Sequence, residues 1–233
     1  MRNQSTDKVS RFLVIGITTI VALVVVAVIV INNRPNQTDP ELLELVENLP
    51  KGVDETNGLP FIGEADAPVT MLIYEDLGCP NCRTYNLTVE PLVLRDYVVN
   101  GDVRIMVYAL AFVNQQSLPA AEGAACALDQ NRYWEYRDVV FNNQGVRTFN
   151  RESLIDFAEE VGLDMDAFSL CYDFGAHTEA ILERTNQALD FGITGTPTTE
   201  ILGQRHVGVL PYEQQGDQIG VKELIEAALA ASE

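Results

Sequence analysis

Residues 69–82 read Val-Thr-Met-Leu-Ile-Tyr-Glu-Asp-Leu-Gly-Cys-Pro-Asn-Cys. The nearly unbroken apolar run at 69–74, bounded by Ala67-Pro68 and Gly78, suits a central strand buried on both faces. Cys79-Pro80-Asn81-Cys82 follows where that strand gives way to a helix, since Pro80 fits a first helical turn in which its missing N–H is not needed. The free N–H groups and the dipole at that helix end stabilise an anion, so Cys79 reads as a thiolate below the ordinary ~8.5 of a free thiol. Cys82, one turn on and on the same face, is within disulfide reach and better shielded. In this reading Cys79 meets substrate and Cys82 resolves. A C-x-x-C pair also serves as half of a zinc site or as an inert staple. Cys126 and Cys171 stand alone on expected helices, and neither His177 nor His206 has a neighbouring ligand in sequence, so no metal is expected.

Outward from the motif, a helical segment of about twenty residues leads to a second apolar run at 103–110, which makes a right-handed βαβ unit with parallel strands. The middle of the chain is helical. Ser117 caps a helix through Gln130; Asn150 caps one whose Leu154, Phe157, Ala158 and Val161 recur at helical spacing until Gly162. Asp164 opens a short helix with Phe168, Cys171 and Tyr172 on one side, and residues 176–191 form a longer one. Strand-like pieces at 198–202 and 206–210, separated by Gly203-Gln204, signal a hairpin, and Val221, Leu224, Ile225 and Leu229 line a terminal helix. The order is βαβ, a helical block, then ββα.

Ahead of all this, residues 12–31 hold 20 residues without a charge, enough at ~1.5 Å each to span a ~30 Å hydrocarbon core. Arg2, Lys8 and Arg11 lie on the leading side, so residues 1–11 are expected as a cytoplasmic tail, 12–31 as one transmembrane helix and the remainder outside. A cleaved signal peptide is the competing reading; its apolar region is usually ~7–15 residues, and the small-residue candidate Val25-Val26-Ala27 sits inside the run. Residues 32–66 are polar and turn-rich and read as a tether, with a short amphipathic stretch at 41–48. The chain carries a net charge of −19, and residues 35–233 hold 33 acids against 11 bases. Such a surface repels phosphate backbones and anionic lipid headgroups, which excludes nucleic acid as a partner. Four cysteines behind a membrane-type segment point to an oxidising compartment.

Ala67-Pro68-Val69, Cys79-Pro80-Asn81-Cys82, Cys126-Ala127-Leu128-Asp129-Gln130 with Tyr133-Trp134-Glu135-Tyr136, and Gly195-Thr196-Pro197-Thr198 occur in that order. Together they resemble the DsbA-like thiol:disulfide oxidoreductases of the thioredoxin superfamily, over about residues 61–230. The resemblance implies an α/β thioredoxin fold in two parts, 67–112 and 192–233, with an inserted helical domain at 113–191. It implies a cis Pro197 facing the Cys79/Cys82 pair, and Thr196 and Pro197 as the substrate-binding edge. It further implies a dithiol oxidase that needs no cofactor beyond its redox-active disulfide, with reduced exported proteins as substrates and a DsbB- or VKOR-type membrane reoxidase as partner. A second bridge between Cys126 and Cys171 is implied in the same way; two separate buried thiols are the alternative. The same fold also serves isomerases and reductases, and a binding module with a structural C-x-x-C is a further reading.

Two departures stand out. Pro80-Asn81 replaces the Pro-His of the best-known DsbA enzymes, which removes one imidazole near the thiolate, and Thr199, Glu200 and Ile201 follow Pro197 where an aromatic strand is frequent. Asp76 reads either as a proton acceptor for Cys82 or as a turn-forming acid. Trp134, Tyr133 and Tyr136 read as packing residues. Asp164 and Asp166 lack the glycine and further ligands of a calcium loop. The triplets Asn36-Gln37-Thr38 and Asn86-Leu87-Thr88 fit an N-glycosylation pattern too frequent to decide anything.

Overall fold

The computed structural model describes residues 40–232, and side-chain surroundings from residue 44. The expected cytoplasmic tail, the transmembrane segment at 12–31 and the Asn36 triplet lie outside the described residues. Among those described, no helix is long and apolar enough to cross a membrane. The chain divides into residues 1–44 and 45–233, and the second unit carries the fold.

The elements are α1 (Pro40–Glu47), β1 (Lys51–Val53), β2 (Pro60–Ile62), β3 (Val69–Asp76), α2 (Pro80–Thr88), α3 (Glu90–Val93), a π-helical turn at Leu94–Val98, and β4 (Val103–Leu110). The insertion follows with α4 (Ser117–Leu128), α5 (Tyr133–Asn143), α6 (Arg151–Glu160), α7 (Met165–Phe174) and α8 (Thr178–Asp190), before β5 (Thr198–Ile201), β6 (Gln204–Val207) and α9 (Val221–Ser232). One six-stranded sheet runs β1-β2-β4-β3-β5-β6. β3 and β4 are parallel in register from Val69↔Val103 to Asp76↔Leu110, and β5 joins β3 antiparallel with Tyr74 opposite Thr198. Met71, Ile73, Ile105 and Val107 are fully buried in the sheet's core, as the unbroken apolar runs require.

Several expectations are corrected. Residues 51–53 and 60–62, read as tether, are strands that extend the sheet beyond β4. Three-residue strands containing Gly52 and Pro60 are too short to show a two-residue period. Side chains from elsewhere fasten them: Trp134 Nε1 donates to Phe61 O at 2.9 Å, and Arg104 pairs with Asp54 at 3.2 Å while lying over the Phe61 ring. The helix between β3 and β4 breaks at Val89, because Pro91 lacks the N–H that would continue it. Ser117 is the first residue of α4 instead of its cap, its hydroxyl accepting from Asn114 N at 3.0 Å, and the helix stops at Leu128. The hairpin turns one residue early, at Leu202-Gly203, both with positive φ (51° and 73°), so His206 pairs with Thr199 inside β6.

Within the insertion the capping signals behave as the sequence suggests: Asn150 and Ser153 form a reciprocal capping box, and Asp164 accepts from Asp166 N and Ala167 N. α4 and α5 cross closely at Gly123, where a Cβ would collide with the Tyr136 hydroxyl. That hydroxyl donates to Leu154 O at 3.2 Å. Cys126 on α4 and Cys171 on α7 are disulfide-bonded across 45 residues, with Cα atoms 5.9 Å apart. Closing such a loop stabilises a fold by about 4 kcal/mol in the chain-entropy model. Cys126→Ser should therefore lower the Tm of the oxidised chain by on the order of 10 °C in calorimetry; an unchanged Tm would show that the bridge contributes nothing to the fold.

Candidate active site

β3 delivers the chain to the carboxyl-terminal end of the parallel strand pair, and the turn at 77–78 aims it into α2. Asp76 shapes that turn. Its Oδ1 accepts from Gly78 N at 2.7 Å, and its Oδ2 accepts from Phe112 N and Val113 N at 2.8 and 2.9 Å. The carboxylate thus ties the end of β3 to the loop after β4; the contact it makes with Cys82 is through its main-chain N–H, 3.4 Å from Sγ. Of the two readings of Asp76, these bonds express the turn-forming one. Gly78 has no room for a side chain, because a Cβ would stand 2.6 Å from Ser117 Oγ, and its carbonyl accepts from Asn114 Nδ2 at 2.6 Å. Gln144 of the insertion donates to Leu77 O at 2.8 Å, and Arg83 of α2 donates to Phe141 O at 2.9 Å. The insertion therefore grips both sides of the cysteine motif.

Cys79 is the N-cap residue of α2, with Pro80 in the first turn and no side chain capping the free N–H groups. Those donors serve the sulfur. Cys79 is lowered to about 5, chiefly by a hydrogen bond from the Cys82 thiol, against the opposing effect of burial; Thr196 and the main-chain N–H groups of Cys82 and Asn81 add to the lowering. As a thiol, Cys79 donates to Thr196 O at 3.3 Å. The Thr196–Pro197 peptide is cis and lies against the motif, and the Thr196 hydroxyl is buried without a hydrogen-bond partner. Cys82 is pushed far up, by burial first, then by its bond to Cys79 and the nearby charge of Glu75. Both sulfurs are sheltered, Cys79 at 5% exposure and Cys82 at 2%. The pair thus divides into one easily ionised sulfur at a helix start and one that holds its proton.

Behind the pair lies a cluster that reading the sequence missed. Arg137 on α5, fully buried, holds Glu75 through two bonds of 2.6 Å and Glu90 through bonds of 2.7 and 2.8 Å. Its guanidinium also faces the rings of Trp134 and Phe141 at 5.2 and 5.1 Å. One cation serves two buried carboxylates, so burial pushes Glu75 up despite the pull of Arg137, while the two acids raise Arg137 itself. The available signal was charge out of place: Glu75 stands within an otherwise apolar strand next to its last residue, and Arg137 interrupts the aromatic and aliphatic run of α5. Asn86 joins the cluster, donating to Glu90 Oε1 at 3.4 Å and Asp138 Oδ1 at 3.1 Å. The asparagine of that glycosylation triplet is accordingly buried in the fold. Tyr133, Trp134 and Tyr136 are buried packing residues. His177, a lone histidine in sequence, stands beside the Cys126–Cys171 bridge with Nε2 2.8 Å from Asp129 Oδ2.

A family model described as thioredoxin matches residues 55–221. The chain is similar to the probable disulfide bond formation protein D of Bacillus anthracis, 27% identical over 149 residues, which are 61% of this chain and 69% of that protein. Its fold is similar to the crystal structure of oxidised BdbD from Bacillus subtilis, with a TM-score of 0.66 and 21% identity over 78% of this chain and 98% of the other. Alpha-DsbA1 from Wolbachia pipientis gives a TM-score of 0.63 at 21% identity, over 77% and 94%.

The buried cluster makes a stability prediction. Arg137→Met leaves Glu75 and Glu90 buried without their cation, which costs about 3–5 kcal/mol. Buried and stripped of its cation, the Glu75 carboxyl has a folded-state pKa above its unfolded one, so the variant's stability is retained below the unfolded pKa and lost as pH rises through the folded pKa. Urea titrations should show a deficit against wild type that is larger at pH 8 than at pH 5. A deficit independent of pH would mean that lost packing, and not stranded charge, is the cause.

Proposed function

Because the chain belongs to the thioredoxin superfamily, among its DsbA-like thiol:disulfide oxidoreductases, we propose that Cys79 and Cys82 form a redox-active disulfide that introduces disulfides into reduced exported proteins. The observation that carries this reading is the contrast between the two sulfurs: Cys79 lowered to about 5 at the start of α2, and Cys82 shielded and held as a thiol.

In the oxidised enzyme a substrate thiolate attacks Cys79 Sγ; the Cys79–Cys82 bond breaks, and Cys82 leaves and takes a proton. A second substrate thiolate then attacks the substrate sulfur of the mixed disulfide, which closes the substrate's disulfide and expels Cys79 as a thiolate. Two electrons have passed from substrate to enzyme. The stability of the leaving Cys79 thiolate favours the reduced enzyme, so the enzyme disulfide acts as an oxidant. Thr196 presents main-chain groups beside Cys79, and an extended substrate segment adds there as a strand, a mode with little dependence on side-chain identity. No cofactor beyond the disulfide is needed. A quinone-linked membrane protein of DsbB or VKOR type takes the electrons away. The proposal includes an anchor at residues 12–31 with a cytoplasmic N-terminus and an extracytoplasmic catalytic domain, supported by the apolar run and by Arg2, Lys8 and Arg11 ahead of it.

Oxidation of a reduced test protein by the purified full chain should vanish in Cys79→Ser, and Cys82→Ser should accumulate mixed disulfides through Cys79. Equilibration with glutathione should place the Cys79–Cys82 potential well above thioredoxin's ~−270 mV. Full oxidase activity in Cys79→Ser, or a thioredoxin-like potential, would overturn the oxidase reading and in the second case favour a reductase.

A further inference from the structure

We infer that the Cys126–Cys171 bridge masks a metal site, one that forms when the bridge is reduced and takes zinc or a similar divalent cation. Its donors are Cys126 Sγ, Cys171 Sγ, the His177 imidazole and the Asp129 carboxylate. The ligand atoms of Cys126, Cys171 and His177 all lie within 4.8 Å of one another. Asp129 Oδ2 stands 2.8 Å from His177 Nε2 and 3.7 Å from Cys171 Sγ. Two sulfurs, one nitrogen and one oxygen make a donor set suited to tetrahedral zinc. No spacing in the sequence announces it, because the donors come from separate elements: Cys126 in α4 and Asp129 at that helix's end, Cys171 in α7, and His177 just ahead of α8.

Contacts besides the bridge fix the backbone that carries these donors. The Cα atoms of the two cysteines are 5.9 Å apart. With Zn–S bonds of ~2.3 Å, the sulfurs of a tetrahedral site stand ~3.7 Å apart, which rotation of the two side chains supplies at that backbone spacing. His177 is carried on a fixed turn, its main-chain N–H donating to Glu122 Oε1 at 2.9 Å while the Thr178 hydroxyl donates to Oε2 at 2.8 Å. Glu122 is itself buried, which fixes that anchor. The side chains of His177 and Asp129 are 30% and 55% exposed, which gives a hydrated ion entry. Cys171 lines an open apolar depression with Leu170 and Phe174, on the side from which a reductant would approach.

The chemistry balances with a phosphine as reductant. The S–S bond breaks, phosphorus gives up two electrons and takes the oxygen of one water to become a phosphine oxide, and the two sulfurs gain that water's protons as thiols. Metal binding then releases both thiol protons to solvent. The site lies in the insertion and is independent of the oxidase reading of Cys79 and Cys82.

The test uses the full chain in detergent carrying Cys79→Ser and Cys82→Ser, so that the bridge cysteines are the only thiols. After anaerobic reduction and removal of the phosphine, cobalt(II) is titrated in, followed by zinc(II). One cobalt per chain should bind, with thiolate-to-cobalt charge-transfer absorption and the intense d–d bands of a tetrahedral site, both lost on adding zinc and absent from the unreduced chain. His177→Ala and Asp129→Ala, which keep both thiols, should each weaken binding at least tenfold. Zinc should raise the Tm of the reduced chain, because the donors are assembled in the folded state. Sub-stoichiometric binding, an affinity unchanged in either variant, or a Tm that zinc leaves unchanged or lowers would overturn the site.

Discussion

At the start of α2 the Cys79 sulfur meets donors that were fixed before any charge forms there: the Cys82 thiol and the main-chain N–H groups of Cys82 and Asn81. Stabilising an anion in a sheltered place requires such preorganisation, because donors that had to turn toward the sulfur would lose much of what they gain. Much of the surrounding structure meets this requirement. Asp76 sets the turn that starts the helix at the right point, Gly78 lets the loop at Asn114 and Ser117 close over that turn, and β5 follows Thr196-Pro197 from its place beside β3. The insertion adds two further ties, Gln144 to Leu77 and Arg83 to Phe141.

The Arg137 cluster is the costly part of this arrangement. Burying a guanidinium and two carboxylates takes three charges out of water, and their mutual attraction repays that only when each is well bonded. Here Arg137 spends four short hydrogen bonds on Glu75 and Glu90. The consequence for the site is electrostatic. Glu75 raises the proton affinity of Cys82, and a protonated Cys82 is the donor that most lowers Cys79. The cluster therefore acts on Cys79 through Cys82, and it fastens β3, α3 and α5 together directly behind the motif.

How much of this the sequence reveals follows from the range of each interaction. The apolar runs of β3 and β4, the Pro80 helix start, the Asn150 and Asp164 caps and the terminal helix are local patterns, and they are legible. The strands at 51–53 and 60–62 are not, since what makes them strands is Trp134, Arg104 and Glu135, which lie far along the chain. The turn at Leu202-Gly203 misled because Leu202 takes a positive φ that a leucine rarely adopts. In the site, Cys79 and Cys82 announce themselves by spacing. Thr196 and Pro197 become visible through resemblance. Glu75, Glu90 and Arg137, and likewise the meeting of His177 with Cys126 and Cys171, depend on how helices of the insertion pack, which no short window of sequence contains.

The central claim is that one sulfur of the pair ionises far more easily than the other, because the shielded Cys82 thiol first and then the main-chain donors at the start of α2 serve Cys79. Ultraviolet absorbance of thiolate, followed against pH in the reduced chain with Cys126 and Cys171 still bridged, measures this directly. The account predicts that one thiolate per chain appears with a midpoint near 5 and that the second sulfur stays protonated through pH 8. Two thiolates appearing together near the ordinary thiol value of ~8.5 would contradict it.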